Sequence, residues 1–113
     1  MRLADRSCAP CPPGTPPLST GEVDRLAVEV PDWVIEDGKL TRTFRLGTFP
    51  DAVRFVDEIA TVSETERHHP DLAIRYDHVR VEIWTHSVGG LSENDYILAA
   101  KIDDLAHDQT AVD

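Results

Sequence analysis

Two pairs of short segments in which apolar and polar residues alternate constrain the fold of this chain most. In the first pair, Trp33 and Ile35 alternate with polar neighbours, and Asp37-Gly38 is a strong signal for a two-residue turn. After the turn, apolar side chains return on one face of the segment, at Leu40, Phe44 and Leu46. This pattern predicts an antiparallel hairpin, because successive side chains of a strand point to opposite faces.

The second pair repeats the pattern further along the chain. Apolar residues alternate before a short break and again after it, at Leu72, Ile74 and Tyr76 and then at Val79, Val81 and Ile83. The dipeptide Asp77-His78 between the two segments is short enough to form the turn. A second hairpin is therefore predicted, and the two hairpins together provide four strands.

Three segments with helical spacing of apolar residues separate and flank the hairpins. The first begins at a capping box formed by Ser19 and Glu22. The second and third begin at Thr48 and Ser92, each followed three residues later by an aspartate, and the second runs to about Arg67. The predicted order is α-β-β-α-β-β-α. The simplest packing is a two-layer α+β fold, a four-stranded antiparallel sheet with helices on one face.

The 113 residues are enough for one domain. Residues 1–17 are rich in proline and lack apolar periodicity, so we expect a flexible arm that supplies no core element and can be removed without harm. The domain itself is expected over residues 18–108, followed by a C-terminal tail at residues 109–113.

Charge and hydropathy exclude several classes of partner. The formal net charge is −10, and no cluster of lysine and arginine is longer than two residues, so nucleic acid is not an expected partner. No apolar run approaches the roughly 20 residues that span a bilayer, and the N-terminal residues lack the apolar centre of a signal peptide. We therefore expect a cytoplasmic protein that contacts neither nucleic acid nor membrane.

Cys8 and Cys11 form a C-x2-C pair, the spacing found in zinc and redox motifs. A structural zinc site needs a second pair of ligands, and no other cysteine is present. A redox motif opens a helix, which the neighbouring prolines oppose. We expect two reduced thiols that hold no metal.

The histidines are the most informative residues for chemistry. His68-His69-Pro70 follows the second helix, and the proline restricts His69 towards extended geometry. Two neighbouring imidazoles held in different directions suit paired general acid and base catalysis near neutral pH. Adjacent histidines chelate a metal poorly, so a metal site is the weaker interpretation. His78, in the predicted turn, and His107 are expected on the surface.

A third candidate, His86, follows from the alternation of the last strand. Val79 and Ile83 are assigned to the core side, so Trp84 and His86 share the opposite face. An exposed tryptophan beside a histidine favours contact with a ligand or a partner. The alternative is an ordinary pair of surface side chains.

The pattern of these residues closely resembles the signature of the pterin-4a-carbinolamine dehydratase family. The resemblance covers roughly residues 18–105. It rests on Glu64, His68-His69-Pro70, Tyr76, Thr85-His86, Gly89-Gly90-Leu91-Ser92 and Asp95.

The resemblance implies a small homo-oligomer, a homodimer or homotetramer, that acts on a pterin without a metal or organic cofactor. The reaction would be dehydration of 4a-hydroxytetrahydrobiopterin-type pterins to quinonoid dihydropterin, which recycles the cofactor of aromatic amino-acid hydroxylases. His68 and His86 would be the acid–base residues, and His69 would hold or deprotonate the pterin ring. Glu64 and Asp95 would be supporting carboxylates.

We expect His69, Pro70 and Trp84 to contact the substrate. Two positions depart from the family pattern. Arg67 stands where many members carry an acidic residue, and Leu72 stands where several carry tryptophan.

An alternative from another class of function is a protein-binding member of the same fold, an assembly factor or a dimerisation cofactor. The three histidines favour the enzyme, because a binding module does not need them.

Overall fold

The computed structural model describes residues 2–110, and it describes side chains as far as Ala106. A 3₁₀ turn at Leu3–Asp5 precedes three helices, and a second 3₁₀ turn at His86–Val88 precedes the last helix. The helices are α1 at Thr20–Ala27, α2 at Phe49–Glu66 and α3 at Glu93–Thr110. The strands are β1 at Val34–Glu36, β2 at Lys39–Arg45, β3 at Asp71–Arg75 and β4 at His78–Ile83. The predicted order of elements is confirmed.

The four strands form one antiparallel sheet in the order β1-β2-β4-β3. Leu40 lies opposite Ile83, and Phe44 lies opposite Val79, so the inward positions of both hairpins meet on one face. The fully buried side chains of α2 and α3 include Phe55, Ile59, Leu98 and Ile102. The predicted two-layer α+β architecture is therefore confirmed. No helix in the described part of the chain is both long and apolar enough to cross a membrane.

Helix starts follow the predicted capping residues. At α1 the Ser19 hydroxyl accepts the Glu22 N–H, and the Glu22 carboxylate accepts the Ser19 N–H, which completes the capping box. At α2 the Thr48 hydroxyl accepts the Asp51 N–H at 3.2 Å. These side chains satisfy N–H groups that have no partner within the helix.

The end of α2 determines where the histidine pair begins. Arg67 has φ 55° and ψ 39°, the left-handed conformation that usually favours glycine. The next N–H, that of His68, donates to the Ser63 carbonyl oxygen at 3.1 Å and closes the last turn. The chain therefore turns sharply away from the helix axis just before His68 and His69.

Two boundaries of the second hairpin differ from the prediction. The turn lies one residue earlier, because Tyr76 adopts φ 52° and His78 already pairs in β4. The last strand ends at Ile83 instead of continuing to His86. Beyond it, Thr85 forms an isolated bridge with Gly90, which closes a short loop.

The prediction of an arm without a core element is wrong for its first residues. Leu3 is fully buried in the main hydrophobic cluster, and its N–H donates to Glu29 Oε1 at 3.0 Å. The Lys101 ammonium of α3 donates to the Ala4 carbonyl oxygen at 2.8 Å. A single leucine among polar residues has no periodicity, so sequence patterns could not assign it to the core.

Residues 109 and 110, predicted as the start of a C-terminal tail over residues 109–113, instead belong to α3, which extends to Thr110. Residues 111–113 lie outside the described residues, as does the side chain of His107.

Replacing Leu3 with alanine is expected to lower the free energy of unfolding by about 2–5 kcal/mol, the usual cost of truncating a fully buried leucine. Urea denaturation monitored by circular dichroism measures it. Val28→Ala is the matched control, because Val28 is exposed and its truncation leaves no cavity. Equal midpoints for Leu3→Ala and the wild type would show that the N-terminal residues do not contribute to the core.

Candidate active site

A cleft of about 290 Å³ lies between the end of α2 and the loop that follows β4. Its lining residues are Arg67, His68, His69, Trp84, Thr85, His86 and Ser87. The structure therefore brings the three candidate histidines and Trp84 together, although 16 residues of sequence lie between His69 and His86. Pro70 is half-buried and lies outside this lining set, so it acts on the cleft through the backbone of His69.

His68 is the most enclosed of the three histidines. Its side chain is 12% exposed, and its Nε2 lies 2.5 Å from Oδ1 of Asp95, whose side chain is 0% exposed. A buried carboxylate at hydrogen-bond distance fixes the orientation of an imidazole ring. In the neutral ring, the same contact favours the tautomer with its proton on Nε2.

Asp95 is itself held by two further groups, one from the loop after β4 and one from the residue just before α3. The Thr85 hydroxyl lies 3.0 and 2.9 Å from the two carboxylate oxygens, and the Ser92 N–H donates to Oδ2 at 2.8 Å. The hydroxyls of Thr85 and Ser92 lie 2.7 Å apart. Thr85 and Ser92 were part of the sequence signature but were not predicted as supporting residues. The closed network explains how a carboxylate is tolerated without exposure to water.

His69 has a different environment. Its Nε2 lies 2.6 Å from Oε1 of Glu64 on the last turn of α2, and both side chains are largely exposed. A contact between two exposed polar side chains competes with water and orients its members only weakly. The two supporting carboxylates therefore contact His68 and His69. Within residues 2–106, no carboxylate lies at hydrogen-bond distance from the His86 ring.

His86 instead stacks on the ring of Trp84. The ring centroids are 4.0 Å apart, and the planes are inclined by 40°. The Lys39 ammonium lies 5.1 Å from the Trp84 centroid. The expected neighbourhood of Trp84 and His86 is present, although it comes from a 3₁₀ turn and not from strand alternation.

The remaining histidine whose side chain is described, His78, lies elsewhere. Its Nδ1 contacts Asp77 Oδ1 at 2.6 Å, and it lines a separate depression on the outer face of the sheet with Arg75 and Arg80. Within residues 2–106, no three histidine, cysteine, aspartate or glutamate side chains are grouped so that they could hold a metal ion.

Comparison with known families matches residues 16–105 to the model described as pterin 4 alpha carbinolamine dehydratase. A protein of Methylococcus capsulatus, provisionally named pterin-4-alpha-carbinolamine dehydratase, is 45% identical over 106 residues, covering 92% of this chain and 93% of the relative. A protein of Nitrosomonas europaea with the same provisional name is 47% identical over 104 residues, covering 91% and 92%.

Solved structures show the same fold. The crystal structure of a transcriptional coactivator/pterin dehydratase from Brucella melitensis has a TM-score of 0.75 and 30% identity, covering 80% of this chain and 98% of that one. A pterin dehydratase-like protein identified as a RuBisCO assembly factor in the alpha-carboxysome has a TM-score of 0.55 and 24% identity, covering 66% and 86%. The second similarity concerns the fold alone.

Proposed function

Because the chain belongs to the pterin-4a-carbinolamine dehydratase family, we propose that it converts a 4a-hydroxytetrahydropterin to the quinonoid dihydropterin and water. In this role it recycles the pterin cofactor of aromatic amino-acid hydroxylases. The observation that carries the proposal is the convergence of His68, His69 and His86 on one cleft. A protein whose only task was to bind a partner would have no need for this arrangement.

The reaction requires two proton transfers. The 4a-hydroxyl leaves as water once its oxygen receives a proton, and N5–H loses a proton as the new double bond forms. No electrons are gained or lost, so neither an oxidant nor a reductant is needed. Two imidazoles in opposite protonation states supply both transfers.

His68 and His86 are the proposed proton-transfer residues. Asp95 holds Nε2 of His68, so Nδ1 is the nitrogen of that ring which can exchange a proton with a ligand. His86 approaches the cleft from the loop after β4, and its ring is supported by Trp84. One imidazole therefore comes from each wall of the cleft, so the two rings can act on different atoms of a substrate bound between them.

His69 and Trp84 are the proposed binding residues. Trp84 is half-buried and lines the cleft, where it offers an apolar surface to the flat pterin ring, and His69 offers a ring nitrogen for a hydrogen bond to a pterin heteroatom. Arg67 also lines the cleft, so a positive charge lies beside this part of the site.

The proposal is tested by stopped-flow absorbance, which follows the breakdown of 4a-hydroxytetrahydropterin in the presence of purified protein. We expect catalytic amounts of protein to accelerate the decay well above the rate in buffer. A protein that leaves the decay unchanged would favour the alternative of a binding role.

His69→Ala is expected to raise KM at least as much as it lowers kcat, because an exposed residue that holds the ring contributes mainly to binding. Steady-state kinetics with varied pterin concentration measures both constants. Glu64→Ala, which removes only the partner of His69, is the matched control and is expected to change KM less. If His69→Ala lowers kcat with KM unchanged, His69 acts in the chemical step.

We further propose that the protein is a homodimer or homotetramer. The outer strands β1 and β3 have free edges within the described chain, and Ile35, Ile74 and Tyr76 on or beside them are exposed. Unpaired strand edges with apolar side chains favour coverage by another chain. Light scattering at micromolar concentration is expected to give a multiple of 12.6 kDa, and a monomer mass would contradict this.

A further inference from the structure

The segment Cys8–Cys11 contacts both parts of the chain that carry the candidate histidines. At one end, the Cys8 N–H donates to Glu66 Oε1 at 2.7 Å, immediately before the turn that leads to His68. At the other end, the Cys11 carbonyl oxygen accepts the Ser87 hydroxyl at 2.9 Å, and Ser87 directly follows His86. Four residues thus connect the two walls of the cleft.

Asn94 holds the middle of this segment. Its Oδ1 accepts the Ala9 N–H at 2.9 Å, and its Nδ2 donates to the Ala9 carbonyl oxygen at 2.6 Å. Asn94 is 8% exposed and precedes Asp95, the partner of His68. A buried amide that satisfies both backbone groups of one residue fixes the position and the direction of that segment.

The two cysteines take part in the same contacts. The Cys8 thiol lies 3.6 Å from the Asn94 carbonyl oxygen, and Asn94 Nδ2 lies 3.4 Å from Cys11 Sγ. Burial, together with the nearby Glu66 carboxylate, raises the pKa of Cys8 to about 12. Cys8 is therefore a protonated thiol at neutral pH, a poor nucleophile that serves as a packing and donor group.

The loop that carries His86 is also held further along the N-terminal segment. The Leu18 N–H donates to the Leu91 carbonyl oxygen at 2.9 Å. A Cβ added at Gly90 would lie 3.3 Å from Cβ of Pro17, so the two backbones approach closely there. The loop is thus held against the N-terminal residues before and after its glycine pair.

We infer that Cys8–Cys11 is a brace that sets the position of His86 relative to His68, and that Asn94 and Ser87 are positioning residues acting through it. The inference rests on the proposed function and extends it to residues outside the histidine set. Two proton-transfer groups on separate loops need a fixed separation, because a displacement of about 1 Å can cost a large factor in rate. The brace adds a second connection between those two parts of the chain, beside the one through Asp95, which contacts both His68 and the Thr85 hydroxyl next to His86.

The inference is tested with Ser87→Ala, Asn94→Ala and the double variant. We expect each single change to lower kcat about tenfold with little change in KM, because catalytic geometry is lost while ring binding is kept. The double variant is expected to lose no more than the larger single effect, because both residues act through one segment. Ser87→Thr retains the hydroxyl and is expected to restore kcat.

Arg6→Ala is the matched control. It removes a 2.6 Å ion pair between Arg6, which lies just before the Cys8–Cys11 segment, and Glu93 of α3, but it does not touch either histidine loop. Its kcat is expected to equal that of the wild type. Additive effects of Ser87→Ala and Asn94→Ala, or unchanged kcat in both, would overturn the brace.

A readout independent of activity separates this inference from the proposed function. In NMR spectra of the histidine rings, Asn94→Ala is expected to shift the His86 resonances, although Asn94 does not line the cleft. If the wild type has no dehydratase activity, the proposed function fails and these shifts decide whether the brace exists. Unchanged His86 resonances in Asn94→Ala would overturn it.

Discussion

Replacing His68 or His86 with alanine is expected to lower kcat by roughly 10²–10⁴-fold, the usual contribution of a general acid or base. That factor corresponds to about 3–5 kcal/mol of transition-state stabilisation, far more than a solvated surface imidazole provides. Steady-state kinetics on the purified variants measures the loss. His78→Ala is the control, because His78 faces the outer side of the sheet and is expected to leave both constants unchanged.

The two variants are expected to differ in stability. His86 is exposed, so its removal leaves neither a cavity nor a buried polar group without its partner. His68 is the partner of a fully buried carboxylate, and its loss leaves Asp95 with one contact fewer, at a cost of about 1–3 kcal/mol. His68→Gln offers a side-chain N–H to Asp95 without an imidazole, so it separates the loss of catalysis from the loss of stability. Wild-type turnover in folded His68→Gln and His86→Ala would contradict the assignment.

Replacing Asp95 with alanine is expected to destabilise the fold by several kcal/mol, because each buried donor left without its acceptor costs about 1–3 kcal/mol. The change leaves the Thr85 hydroxyl, the Ser92 N–H and the His68 ring without their acceptor. Thr85 and Ser92 are both buried, so water does not readily replace the carboxylate. Urea denaturation of the variant and the wild type measures the difference.

Glu64→Ala is the matched comparison, because Glu64 also contacts a histidine but on the surface. Its effect on unfolding is expected to stay below about 1 kcal/mol. Similar losses for the two carboxylates would contradict the view that Asp95 combines a structural and a positioning role. Asp95→Asn is expected to keep more of the stability while still lowering kcat, because the amide does not fix the tautomer of His68 as the carboxylate does.

Much of the fold was predictable because its signals are local. The Asp37-Gly38 turn, the capping box at Ser19 and the alternation at Val79, Val81 and Ile83 each concern neighbouring residues, and the structure has them as expected. Local signals do not determine where a strand ends when a residue near its end bonds to groups outside the sheet. Thr85 bonds to Asp95 and to Gly90, so the chain leaves the sheet before His86.

The candidate site was predictable only in part. The resemblance indicated His68, His69 and His86, but it did not indicate which carboxylate serves which ring. The contact of His68 with Asp95 spans 27 positions, and that of Asn94 with Ala9 spans 85, so neither is implied by spacing. Leu3 and Asn94 are isolated residues without a periodic pattern, and only the packed chain shows that they are buried.

The most direct test of the central claim is the stopped-flow decay of 4a-hydroxytetrahydropterin, measured side by side with wild-type protein, His68→Gln and His86→Ala at equal concentration. If the cleft is a dehydratase site, the wild type accelerates the decay, and both variants fall by at least about 10²-fold towards the rate in buffer. Two results would contradict the claim: a decay of the pterin with wild-type protein that is no faster than in buffer, or a decay with the variants that is as fast as with the wild type.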